Sequence, residues 1–103
     1  MPVAFDYFEL LVCLEPQAHK PLQFLCAFGD KRMRARIVFN QSLFEYIDFE
    51  PQENAEPLDE LDQKLAAAIL ENNLEEAIKK WSDFHLFNMP VEPKLITQRI
   101  VLS

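Results

Sequence analysis

The chain has 103 residues, half of them hydrophobic and 26% charged, which is globular composition at the length of one domain and excludes a disordered or fibrous chain. Nine Phe, two Tyr and one Trp supply a core that at this size buries roughly two-thirds of the unfolded surface, so a single α+β domain over residues 1–103 is expected. A formal charge of −7 and an isoelectric point near 4.7 exclude generic, charge-driven binding to nucleic acid or to an anionic membrane.

The opening Met1-Pro2-Val3-Ala4-Phe5-Asp6 has no basic n-region, and the longest apolar stretch, Leu10 to Leu14, is too short for a signal peptide or a membrane span. A cytoplasmic protein without membrane contact is expected. Cys13 and Cys26 sit thirteen residues apart with no CxxC and no neighbouring His, which points to reduced core thiols rather than a zinc ribbon or a redox pair. The only glycine, Gly29, excludes every GxGxxG or Walker loop.

In chain order, the even positions Phe8, Leu10, Val12 and Leu14 predict a first strand, and Leu22, Phe24, Cys26 and Phe28 a second. The polar, proline-bounded stretch from Glu15 to Pro21, which holds His19, reads as a broad hairpin loop between them. Gly29-Asp30 fits the centre of a type II′ turn, with Gly where φ must be positive. That turn dictates a register: Phe28 faces Lys31, Cys26 faces Met33, Phe24 faces Ala35 and Leu22 faces Ile37 on an apolar side that extends to Phe39. Ala27 faces Arg32, Leu25 faces Arg34 and Gln23 faces Arg36 on the other. Alternation and turn agree, which makes this hairpin the anchor of the predicted fold.

After Asn40, Ser42-Leu43-Phe44-Glu45 has capping-box spacing, and with Tyr46, Ile47 and Phe49 following it predicts a short helix, although Tyr, Ile and Phe also suit a strand. Pro51 and Pro57 bracket a polar linker. Beyond it, Leu58, Leu61, Leu65, Ala68 and Ile69 form the stripe of a clear helix, and Asn73 with Glu76 is placed to cap a second helix carrying Leu74, Ala77, Ile78 and Trp81. The joint from Leu70 to Ile78 is similar to helix-turn-helix joints of tetratricopeptide-like repeats. It occurs once, and a solenoid needs about three repeats. Trp81 to Pro93 reads as irregular, and Leu95 to Leu102 as a closing strand. The expected fold is α+β: an antiparallel three-stranded meander plus a C-terminal strand, packed against two or three helices.

Chemistry is thinly supplied. His19 and His85 fall in no metal-ligand spacing, Asp83 and His85 are two apart and would diverge on a helix, and the alternation puts Cys26 in the sheet interior. Asp59, Glu60 and Asp62 occupy first-turn positions that carboxylates favour for helix stability alone, and paired acid–base work needs a cleft that so small a core leaves little room for. No enzyme, metal or cofactor is expected.

The charge pattern is more informative. Residues 20–36 hold Lys20, Lys31, Arg32, Arg34 and Arg36 against Asp30 alone, a local charge of +4, whereas residues 37–63 hold eight acids and no base. The acidic stretch is either a solvated linker and helix start or a docking surface for a basic partner, with Glu45, Asp48, Glu50, Glu53, Asp59 and Asp62 as contacts and Phe44, Tyr46 and Phe49 as aromatic anchors. The arginine row Arg32, Arg34 and Arg36 could bind phosphate, RNA or DNA, but the opposed charges of adjacent segments favour pairing with the acids of the same chain, or of a second copy in a homodimer. The leading expectation is a small non-enzymatic protein that neutralises a basic partner, a nuclease or toxin among the candidates, as an inhibitor, immunity protein or antitoxin does. The alternative is a nucleic-acid or phosphate-binding module built on the three arginines.

Overall fold

A computed structural model of the protein describes residues 1–17 and 20–102. His19, assigned above to the hairpin loop, lies outside them. The chain forms β1 (Val3–Tyr7), β2 (Leu10–Cys13), β3 (Gln23–Phe28), β4 (Lys31–Asn40), β5 (Leu43–Pro51), α1 (Glu60–Asn72), α2 (Leu74–His85) and β6 (Lys94–Ile96). The six strands make one sheet in the order β5-β4-β3-β2-β1-β6, antiparallel throughout except for the parallel pair β1–β6. The fold is mixed α+β, with a five-stranded meander where three strands were expected and two helices.

Three two-residue turns drive the meander. At Gly29-Asp30 the glycine adopts φ of +60° and Asp30 stays at negative φ, the signs of a type II′ turn, and the predicted register holds pair for pair from Phe28↔Lys31 to Gln23↔Arg36. Leu22 and Ile37 extend it through a backbone hydrogen bond, the Ile37 amide donating to the Leu22 carbonyl at 3.1 Å. The other two turns use no glycine. Phe8 and Glu9 take φ of 44° and 74°, and Gln41 and Ser42 take 53° and 68°, which is the all-positive geometry of type I′ and costs L-residues roughly 1–2 kcal/mol each. Phe8 recovers part of that cost by packing edge-on against Tyr7 at 4.8 Å and beneath the Arg99 guanidinium at 4.7 Å.

These turns overturn two sequence expectations. The strand predicted from Phe8 starts at Leu10, because the chain reverses at Phe8-Glu9 and pairs Tyr7 with Leu10; Val3–Tyr7 is an additional strand. The helix predicted from Ser42 is β5. Ser42 occupies a left-handed turn position instead of an N-cap, and from there Ile47 and Phe49 alternate inward while Tyr46, Asp48 and Glu50 alternate outward. The closing strand is shorter than expected. It ends at Ile96, and Ile100 is held instead by its amide donating to the Tyr7 hydroxyl at 3.1 Å.

One face of the sheet carries the core: Phe5, Leu10, Val12, Phe24, Cys26, Met33, Ala35 and Ile37 are buried against Leu58, Ala66, Ile69, Leu70 and Ala77 of the helical layer. Leu65, Leu74 and Trp81 are half-buried against it, whereas Leu61, placed on the α1 stripe by periodicity, is 61% exposed. Asn73 sits at the joint between the helices but makes no side-chain cap to α2; its Nδ2 donates back to the Ile69 carbonyl of α1 at 2.8 Å, and its Oδ1 accepts from Lys94 at 2.8 Å. No helix is long and apolar enough to cross a membrane among the described residues.

Candidate functional site

The second face of the sheet brings the basic and acidic segments together. Strand β4 presents Arg32, Arg34 and Arg36 at alternate positions, and the β4–β5 register sets Arg34 opposite Glu50 and Arg36 opposite Asp48. Arg36 Nη2 lies 3.6 Å from Asp48. The tightest pair comes from the other side: Arg34 donates through Nη2 to Glu15 Oε1 at 2.9 Å and through Nε to both carboxylate oxygens at 3.1 and 3.3 Å. That forked contact is the geometry guanidinium groups favour. It raises the Arg34 pKa, chiefly through the hydrogen bond with Glu15, and Glu15 is only 13% exposed. Between them, Leu25 pairs across to Cys13 on one side and Arg34 on the other and is 1% exposed.

Two lysines complete the pattern. Lys20, within the long β2–β3 connection, reaches Glu50 on the outermost strand at 3.7 Å. Lys31 donates to Asp59 at 2.7 Å and its pKa is raised by that hydrogen bond; Asp59 stands at the N-cap of α1 without capping it. The Arg32 amide donates to the Glu56 carbonyl at 2.8 Å, so the linker after β5 continues along β4.

The predicted contact residues therefore fall into three groups. Asp48, Glu50 and Asp59 are engaged by cations of the same chain. Phe44 and Phe49 lie half-buried against the core, with Phe44 edge-on to Phe39 at 6.4 Å, which leaves Tyr46, 47% exposed, as the aromatic at the surface. Glu45, Glu53 and Asp62, together with Glu56, make no ion pair among the described residues. Of the arginine row, Arg34 and Arg36 are paired and Arg32 is exposed without a carboxylate partner there. What the sequence reading missed is that β5 is an edge strand. The alternation Tyr46-Ile47-Asp48-Phe49-Glu50 carried that signal, and the capping-box spacing at Ser42 masked it.

The reactive side chains are held in quiet surroundings. Burial pushes the Cys26 thiol up to about 12 and raises Cys13 as well, so neither is a ready thiolate. His85 lies tilted against Trp81 with ring centroids 4.7 Å apart and is edge-on to Phe84 at 4.9 Å; its buried Nε2 has no hydrogen-bond partner among the described residues, and burial lowers its pKa. Asp83 is held by Lys79 at 2.7 Å. No cluster of metal-ligating side chains occurs among the described residues. A shallow groove lined by Asn73, Lys94, Thr97 and Arg99 has its cations in use, Lys94 on Asn73 and Glu76 and Arg99 over Phe8.

The fold and its surface define a mixed α+β protein with a charge-paired sheet face that ends in an acidic, uncovered edge strand. Comparison with protein-family models, curated proteins and solved structures finds no match.

Proposed function

We propose that the protein is a non-enzymatic, cytoplasmic binder of a basic protein, an inhibitor, immunity protein or antitoxin that neutralises a nucleic-acid-acting partner by electrostatic and steric occlusion. The observation that carries this reading is the division of the acids. The protein's own cations engage Asp48, Glu50 and Asp59, while among the described residues Glu45, Glu53, Glu56 and Asp62 have no ion-pair partner along β5, its linker and the start of α1. Unpaired acids along β5 and the linker that follows it, on a molecule of charge −7, steer a basic partner and repel acidic ones, and Tyr46, 47% exposed, and Leu43, 73% exposed, supply apolar surface beside Glu45.

The test is a pull-down with the unmodified protein beside a Glu45→Lys, Glu53→Lys, Asp62→Lys variant, in which the exposed Glu45 and Glu53 substitutions are each expected to change stability by no more than about 0.5 kcal/mol and that of Asp62, in the first turn of α1, by about 1 kcal/mol. A basic protein retained by the first and lost by the second supports the reading; retention by both sinks it. The alternative, phosphate, RNA or DNA binding by Arg32, Arg34 and Arg36, is left, among the described residues, with the unpaired guanidinium of Arg32. It predicts a salt-sensitive nucleic-acid shift abolished by replacing all three with Ala.

A further inference from the structure

The backbone of β5 says how such a partner would be held. On β4, the Ile37 amide donates to Leu22, on the β3 side, whereas the Arg32 amide donates to Glu56 on the opposite side. Backbone groups alternate in direction along a strand, so Arg34, Arg36 and Val38 turn theirs toward β5. Their partners Glu50, Asp48 and Tyr46 spend their own backbone groups on that ladder. The N–H and C=O groups of Ile47 and Phe49 consequently point away from the sheet, and among the described residues β5 pairs with no strand other than β4. Pro51 follows two positions later and, having no N–H, ends the open row there.

We propose that β5 is a strand-addition site for an extended basic segment of the partner, an inference that rests on the protein-binding reading above. An added strand would exchange main-chain hydrogen bonds with Ile47 and Phe49. Its residues on the helix side would lie beside the half-buried Phe44, Ile47 and Phe49 and are apolar; those on the other side would lie beside Tyr46, Asp48 and Glu50 and are basic. The occupant follows from charge. Leu43–Pro51 carries Glu45, Asp48 and Glu50 and no base, so pairing β5 with a second copy of itself sets three acids against three, a destabilising arrangement. A strand with Lys or Arg at alternate positions meets Glu45 unpaired, and Asp48 and Glu50 held only at 3.6 and 3.7 Å by half-exposed partners.

The experiment is amide hydrogen exchange by NMR on the full chain, with an acetylated hexapeptide alternating valine with lysine or arginine as the probe. Exchange at Ile47 and Phe49 is expected to slow by at least about tenfold on saturation. Methylating alternate backbone nitrogens of the peptide keeps its charge and side chains but removes the donors, and for one of the two alternations is expected to abolish that protection. Several results overturn the inference: no protection at millimolar peptide; equal protection by both methylated peptides; equal binding of a peptide with glutamate in place of the bases; or Ile47 and Phe49 already protected in a dimer, which gives the edge to a second copy. Tight binding of the unmethylated peptide without protection at Ile47 and Phe49 would refute strand addition and leave charge-driven partner binding standing, while the pull-down above decides that reading separately.

Discussion

The two edges of the sheet are finished in different ways. At one, β6 has three residues, lies parallel to β1, and is tied down by Lys94 on Asn73 and Glu76 and by the Ile100–Tyr7 hydrogen bond just beyond it. At the other, β5 runs nine residues with one side open. A short strand offers too little backbone to template a neighbour, whereas a long one must be guarded by charge or by proline; β5 has both, in Glu45, Asp48, Glu50 and Pro51. One edge is closed by geometry and the other is left open but selective.

The contrast predicts how each part responds to damage, beginning with the largest effect. Phe24 lies fully buried at the centre of the sheet, while Phe49 on the open edge is half-buried. Phe24→Ala is expected to cost about 3–5 kcal/mol and Phe49→Ala about half as much, because the edge can relax and its ring already meets solvent. Chemical denaturation of the two variants measures the difference. Equal losses would mean that β5 is as deeply integrated as β3, and that its open side is an accident of length.

Next is the Arg34–Glu15 pair. Removing the guanidinium leaves a carboxylate that is mostly covered and uncompensated, so Arg34→Ala is expected to destabilise by about 2 kcal/mol, between the values for surface and fully buried pairs. A double-mutant cycle on Lys20 and Glu50, both half-exposed, is expected to give less than about 0.5 kcal/mol of coupling. A large coupling there would show the β2–β3 connection clamping the open edge, contrary to the asymmetry described here.

Much of this fold was legible in the sequence, and the parts that were not share a cause. The β3–β4 hairpin could be read because a glycine marks its turn and the alternation on both flanks agrees with it. The β1–β2 and β4–β5 hairpins turn on Phe8-Glu9 and Gln41-Ser42, residues that ordinarily avoid positive φ, so local propensity argued against the turns that tertiary pairing imposes. Charge offered pairing of the arginine row with the acidic segment of the same chain as one alternative, and of the three Arg36 meets that segment, at Asp48; Glu15 as the partner of Arg34 was not legible, since the two lie nineteen residues apart and meet only through the three-dimensional path of the connection. On a helix over residues 42–49 the aromatics Phe44 and Phe49 read as surface anchors; on a strand they alternate into the core.

At the closed edge, Tyr7→Phe removes the acceptor for the Ile100 amide and is expected to cost about 1 kcal/mol, with faster exchange at Ile100 and none of the β5 amides affected. On the helical layer, His85 supplies a pH dependence. Its pKa is lowered in the fold from the ordinary 6.5, so the unfolded chain takes up the proton first. Stability from this group is complete above that ordinary value and is lost as pH falls through it toward the folded value. His85→Phe is expected to flatten that part of a stability–pH profile measured by denaturation, while the response of β5 to charge is unchanged.

A variant with little effect on stability tests the open edge most directly. Replacing Glu45, Asp48 and Glu50 together by Gln, Asn and Gln keeps size and removes charge from side chains that are exposed or half-exposed, so the net change in unfolding free energy is expected to stay within about 1 kcal/mol. Self-association should respond far more. With no acids left between Leu43 and Pro51, the outward groups of Ile47 and Phe49 face a second copy without repulsion, and sedimentation velocity is expected to show a concentration-dependent dimer or larger species that the unmodified protein lacks. If the neutral variant stays monomeric at every concentration, the charges are not what keeps the edge free, and Pro51 with the twist of the strand would be its guard instead. If the unmodified protein already self-associates through this edge, acidity is not selecting against a second copy, and the asymmetry between the two edges reduces to one of length.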